Sequence, residues 1–206
     1  MSSTEPSPPS VLVVPPELED WNKPFKTWLE DNAKDWDGIA SAALVFHPAR
    51  PSSDETEGET RVLLLQRAPH DSMPLRWEPP GGAVDPEDAS IPLGCARELR
   101  EEAGLAATRV LRLVERGGGG GGADVFTNRT GKRVFRRFTF EVEVQRPDDS
   151  KGVPPEVRLD PQEHVDFYWA TRDEVEQGRR RDGTEKMEIT SVAAREILLR
   201  GFDLRS

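Results

Sequence analysis

The chain is predicted to adopt an α/β fold in which a mixed sheet lies between helices. Three observations predict it. Residues 38–46 and 61–67 are dense apolar runs of strand length, as a doubly covered sheet requires. Residues 134–144 alternate with period two: Phe138, Phe140, Val142 and Val144 are apolar, and Arg137, Thr139, Glu141 and Glu143 are polar. Between these strands, residues 90–103 carry the marks of a capped helix.

The helix is the best defined element. Ser90 is an N-cap, Pro92 sits in the first turn where a missing N–H costs nothing, and Gly104 is suited to end the helix in the left-handed region. Leu99, Ala96 and Ala103 share a side that can be buried. Glu98, Glu101 and Glu102 share the neighbouring side, within an arc of roughly 100°. The pairs Glu98–Glu102 and Glu98–Glu101 set like charges side by side, each costing a few tenths of a kcal/mol in a bare helix. Either water screens that face, or a divalent cation sits on it, since hard carboxylate oxygens are what Mg²⁺ selects.

The remaining elements follow in chain order. Residues 1–10 are rich in Ser, Pro and Glu and are expected to be disordered. Val11 to Val14 form a short apolar stretch, read as an edge strand or a segment lying on the domain, before Pro15-Pro16 breaks it. As a domain division, residues 1–17 are taken as tail and residues 18–206 as one domain. Trp21, Phe25, Trp28 and Leu29 recur at helical spacing between Leu18 and Trp36, a core-packing stripe. Residues 48–60 read as an exposed connection. Trp77-Glu78-Pro79-Pro80 leads into the Gly81-Gly82 turn, residues 110–115 form a strand, and the six glycines from Gly117 to Gly122 form a mobile loop. Residues 165–170 are a further strand, 171–175 a short helix and 191–199 a final helix.

Composition narrows the function classes. The 206 residues allow one domain with a sizeable core, and the formal net charge is −10. Such acidity disfavours a general nucleic-acid surface or an anionic membrane surface. It leaves room for a small phosphorylated substrate bridged by metal ions, which bring the positive charge with them. The single cysteine, Cys95, cannot form an internal disulfide, suits a reducing compartment and is read as a packing residue. The sequon Asn128-Arg129-Thr130 is then incidental. No basic residue precedes Lys23 and no apolar run has transmembrane length, so a cytoplasmic or nuclear location is expected, with no membrane partner. Oligomeric state is not legible.

The run from Gly82 to Leu105 resembles the Nudix box, G-x5-E-x7-R-E-U-x-E-E-x-G-U with U aliphatic. Arg97, Glu98, Leu99, Glu101, Glu102, Gly104 and Leu105 fill its right-hand places. On the left, Asp88 stands five intervening residues after Gly82 where the pattern has Glu, and one extra residue separates it from Arg97. Pro79 stands where the usual form has an aliphatic or aromatic residue. The resemblance implies a Nudix-type α/β/α sandwich, spanning roughly residues 39–199, and Mg²⁺- or Mn²⁺-dependent hydrolysis of a nucleoside diphosphate linked to another group. It implies metal ligation by Glu98, Glu102 and Glu101, completed by a carbonyl of the Gly81-Gly82 turn. It gives Arg97 the task of orienting a catalytic glutamate; the plainer alternative is a surface ion pair with Glu101. The general base is Glu98 or Glu163, the latter in the Asp160–His164 stretch, whose neighbour His164 is read as structural. Arg67, Glu78 and Arg137 are candidates to bind substrate from the sheet, each with an equally good salt-bridge role. A different class stays open: a Nudix-fold nucleotide-binding or regulatory protein without turnover.

Overall fold

The computed structural model describes residues 11–48, 59–116, 124–128, 130–146, 153–181, 183 and 185–205. The expectations for residues 1–10, for most of the 48–60 connection and for the glycine run lie outside the described residues. Among the described residues the elements follow in this order: a 3-10 helix, Pro16–Trp21; α1, Phe25–Asp31; β1, Gly38–Pro48; β2, Thr60–Arg67; β3, Trp77–Glu78; α2, Ile91–Ala103; β4, Ala107–Val114; β5, Asp124–Thr127; β6, Val134–Val144; β7, His164–Thr171; α3, Arg172–Gln177; and α4, Val192–Asp203. None of the helices among the described residues is long and apolar enough to cross a membrane.

The seven strands form one mixed sheet in the order β3-β2-β1-β6-β4, with β5 added on β6 and β7 on β2. β1 runs parallel to β6 from Gly38↔Phe135 to Val45↔Val142, whereas β1 and β2 pair antiparallel only over Phe46↔Val62, His47↔Arg61 and Pro48↔Thr60. The sheet therefore splays open along the N-terminal half of β1. The chain leaving β3 fills that gap: Ser41 N–H donates to Gly82 C=O, Ala43 N–H to Pro80 C=O, and Val84 N–H to Ile39 C=O.

Alternation along the strands divides the interior into two cores. Ile39, Ala43, Val45, Leu63, Leu65, Phe138, Phe140 and Val142 pack with α1 and the apolar side of α2. Leu44, Phe46, Val62, Leu64 and Ala170 face the other way, against α3 and α4. This is the layered α/β arrangement predicted above. One detail of β6 differs: the polar residues Thr139 and Glu141 are buried, because α4 covers the face that alternation alone assigns to solvent. Glu141 is fully buried and neutralised by Arg205 and, at 3.2 Å, Arg112.

The aromatic stripe between Leu18 and Trp36 splits into two helices. Pro24 lacks an N–H and restrains the residue before it, so the 3-10 helix stops and α1 starts anew. Trp28 stacks on Trp36 and meets Phe138 edge-on at 4.9 Å, so the stripe is core packing. Residues 11–17, assigned to the tail, are partly tied down. Val13 donates to Thr108 C=O and accepts from Val110 N–H, making a parallel bridge beside β4.

Candidate active site

Helix α2 is built as its sequence requires. Ser90 Oγ accepts from Leu93 N–H at 3.3 Å, Pro92 lies in the first turn, and Gly104 closes the helix at φ 68° with its N–H on Arg100 C=O. Ile91, Cys95, Leu99 and Ala103 are buried against the sheet, which fixes the rotation of the helix. Glu98 and Glu102 are thereby aimed at the Gly81-Gly82 segment.

Neither glycine of that segment has open space beside it. A Cβ on Gly81, whose φ is 153°, would lie 2.2 Å from Ser41 O; one on Gly82 would lie 2.7 Å from Glu98 Oε2. Bare backbone thus meets the carboxylates, and Gly81 N–H donates to Glu102 Oε2 at 2.6 Å.

A cleft of about 500 Å³ opens above this contact. Arg67, Asp71, Glu78, Gly81, Gly82, Glu98, Glu102, Glu163 and His164 are among its lining residues. The far wall is held by backbone bonds: Arg158 N–H to Ala103 C=O and Asp160 N–H to Glu102 C=O strap the chain across the end of α2, and Ala68 N–H to Glu163 C=O ties it to the end of β2. The result brings ligand atoms of Glu102, Glu163 and His164 within 4.8 Å of one another.

Burial governs the electrostatics. It pushes the Glu102 carboxyl up to about 9; the Gly81 N–H opposes this, and the carboxylates of Glu78, Glu98 and Glu163 reinforce it. Burial also raises Glu98, against the pull of Arg97. Arg97 pairs with Glu98 and Arg67 with Glu78, and Glu102 has only the Gly81 N–H as hydrogen-bond donor among the described residues. The donors of this carboxylate cluster are oxygens of the hard kind that Mg²⁺ and Mn²⁺ take, so the site fits such an ion.

Arg97 is the organising cation. Its Nε and Nη2 donate to the two oxygens of Asp88 at 3.1 and 3.0 Å, Nη2 also to Ala83 C=O at 2.9 Å, and Nη1 to Glu98 and Glu101, each at 2.9 Å. Arg97 thus pairs with Glu101 and also with Glu98. Asp88, left without a role by the sequence, is the bidentate partner that fixes the guanidinium. The signal was its position six residues past Gly82, where the box has an acid.

The other expectations divide. Glu101 is exposed, bonded to Arg97 and not among the cleft-lining residues. Arg67 and Glu78 do line the cleft, but they are committed to each other, and Arg67 also holds Asp71. Burial raises the Asp71 carboxyl, yet hydrogen bonds from Arg67 and Ser72 outweigh it and bring it down to about 2. Arg137 is not brought to the cleft: its guanidinium lies over the Phe126 ring at 4.9 Å and 3.7 Å from Asp124. The parity of β6 sends it to the β5 side, which the sequence could not show without the strand order. His164, read as structural, is buried and also lines the cleft, and Asp71, which lines it too, had no sequence signal.

A family model described as NUDIX domain matches residues 53–189. No curated relative matches the chain. Among solved structures, the MutT protein of Methanosarcina mazei is 22% identical, with 82% of this chain and 95% of that one covered at a TM-score of 0.52. An Ap4A hydrolase of C. elegans in a binary complex is 20% identical over 82% and 96%, at 0.53. The NUDIX domain of Shewanella oneidensis NrtR, complexed with ADP ribose, is 15% identical over 88% and 98%, also at 0.53. At these identities the likeness is one of fold. Joined to a family match across residues 53–189 and to a box whose Glu98 and Glu102 line the cleft, it leaves one conclusion: the chain belongs to the Nudix family.

Proposed function

We propose that the protein hydrolyses a pyrophosphate bond in a nucleoside diphosphate linked to another group, and that it depends on Mg²⁺ or Mn²⁺ to do so. The observation that carries this reading is the meeting of Glu98 and Glu102 with the bare Gly81-Gly82 backbone, opposite Glu163. Glu98 and Glu102, a carbonyl of Gly81 or Gly82, and Glu163 from the far wall would hold the ion, with Glu101 at the rim. When bound, the ion supplies neutralisation of the non-bridging phosphate oxygens.

The chain's own residues do the rest. Glu98 accepts the proton of the attacking water: burial raises its affinity for a proton above that of an ordinary carboxylate. Arg97 is a positioning residue, bonded to Glu98 Oε1 at 2.9 Å and locked from behind by Asp88. Among the described residues lining the cleft, the only arginine is Arg67, and Glu78 and Asp71 already occupy it. The anionic substrate therefore reaches this acidic cleft together with its cation.

The test is a panel of nucleoside diphosphate derivatives with Mg²⁺ or Mn²⁺, products identified by phosphorus NMR. ADP ribose and Ap4A, the ligands named with two of the similar folds, belong on it. The expected result is a phosphorylated product from at least one member, abolished by excess chelator. Equal turnover in chelator overturns the metal dependence, and binding without turnover across the panel moves the reading to a nucleotide-binding protein.

A further inference from the structure

We propose that His164 gives this cleft a nitrogen donor, so that the position bounded by Glu102, Glu163 and His164 takes a first-row transition dication such as Mn²⁺ or Co²⁺ in preference to Mg²⁺. The inference rests on the metal-dependent reading above and deepens it. The box supplies oxygen donors only; the imidazole comes from a different part of the chain, the first residue of β7.

The imidazole is not explained by structural need. His164 is 3% exposed, and its Nδ1 is buried without a hydrogen-bond partner among the described residues. Its Nε2 lies 3.5 Å from Glu78 Oε1, beyond good hydrogen-bond length, and Glu78 is already held by Arg67. Leaving a buried ring nitrogen unsatisfied is costly, so a packing role alone would favour an apolar residue here. A ring nitrogen of His164 instead lies within 4.8 Å of carboxylate oxygens of Glu102 and Glu163, close enough for the three to share one cation.

Three donors from two walls also have the right rigidity. Glu102 is fixed by Gly81 N–H, and the backbone at Glu163 by Ala68 N–H and Asp160 C=O. His164 starts the strand paired with β2, opposite Arg67. Mg²⁺ binds oxygen and gives up its waters reluctantly, whereas imidazole strengthens the binding of transition dications. The nitrogen therefore sets metal choice.

The experiment reads metal binding and needs no substrate. Protein loaded with Mn²⁺ is examined by pulsed electron paramagnetic resonance, unlabelled and with ¹⁵N-histidine. The expected spectrum contains directly coordinated nitrogen that shifts on labelling, disappears in His164→Gln and persists in His70→Gln, the control for the other histidine lining the cleft. Calorimetric titration should show the preference for Mn²⁺ over Mg²⁺ lost in His164→Gln, because the variant lacks the nitrogen donor that favours transition dications. Should His164→Gln fold poorly, the labelling result on the unaltered protein together with persistence of the signal in His70→Gln decides. A spectrum with oxygen ligands only, or a nitrogen signal lost in His70→Gln instead, overturns the proposal. An oxygen-only spectrum beside metal-dependent turnover would remove His164 and leave the hydrolase reading standing; nitrogen ligation without turnover would do the reverse.

Discussion

At the scale of single residues, the site is a problem of charge held in place. Glu102 is held at about 9 in the protein alone, against an ordinary 4.5. Because the folded value is raised, the stability it contributes is fully present below 4.5 and is lost as pH rises toward 9. Glu102→Gln keeps an acceptor for Gly81 N–H and cannot ionise. Metal-free wild type and variant should therefore melt alike at acid pH, and the variant should gain steadily as pH rises toward 9. Melting curves in chelator check this; a constant difference across that range refutes the linkage. In the metal-loaded enzyme both Glu98→Gln and Glu102→Gln should cut turnover by orders of magnitude, and wild-type rates in either would remove the assigned site. Cys95 gives a separate test. Burial pushes its thiol up to about 12, so it should resist thiol reagents in the native state and react only on unfolding, as a count of modified thiols would show.

The elements show how little freedom surrounds those charges. The Gly81-Gly82 segment lies between β1 and α2, and its two glycines should fail differently. In Gly81→Ala the new methyl group meets the β1 backbone at Ser41 O, so the fold should lose about 1–3 kcal/mol, read by denaturant titration. In Gly82→Ala it meets the end of the flexible Glu98 side chain, so stability should change little while turnover falls sharply. Equal loss of stability in both variants would contradict this account. On the opposite face, Glu174 closes the capping box of α3 and accepts from Tyr168 Oη, Thr171 N–H and Arg181 N–H. Burial raises the Glu174 carboxyl, but these bonds outweigh it and hold it below 4.5. Burial, with the bond to Glu174, pushes Tyr168 up to about 12. A lowered acid contributes stability above 4.5 that is lost as pH falls; a raised phenol contributes stability below 10 that is lost toward 12. Glu174→Ala should cost about 1–3 kcal/mol near neutral pH and flatten the acid limb of the stability profile. A profile parallel to wild type at every pH would rule that out.

For the whole molecule, the cleft is where three separate parts of the chain converge: α2, the segment filling the splayed sheet, and the strap leading into β7. A cation held there joins them, so metal binding should stabilise the entire fold. At a hundred times the dissociation constant the gain is about 2.7 kcal/mol. Wild type should show this as a rise in Tm with saturating Mg²⁺ or Mn²⁺, and Glu102→Gln should lose most of it; an undiminished rise in the variant would place the ion elsewhere.

Much of this was legible locally. The caps at Ser90 and Gly104, the shared face of Glu98 and Glu102 and the pairing of Arg97 with Glu101 depend on neighbours within a turn or two, and helical spacing determines such contacts before any tertiary structure forms. The positions of β1, β2, β4, β6 and β7 were legible from apolar runs and alternation, whereas β3 and β5 are too short to carry either pattern. Contacts between distant segments were not. Arg137 goes to β5 because of strand order, and Glu141 is buried because α4 returns over β6. Arg67 and Glu78 meet because β2 and β3 pair, and His164 reaches Glu102 because the strap crosses the end of α2. The sequence by itself determined the helix, its carboxylates and the family chemistry that they imply. Only the tertiary structure decided which other residues share their space, because sequence spacing carries no distance once the chain has turned back on itself.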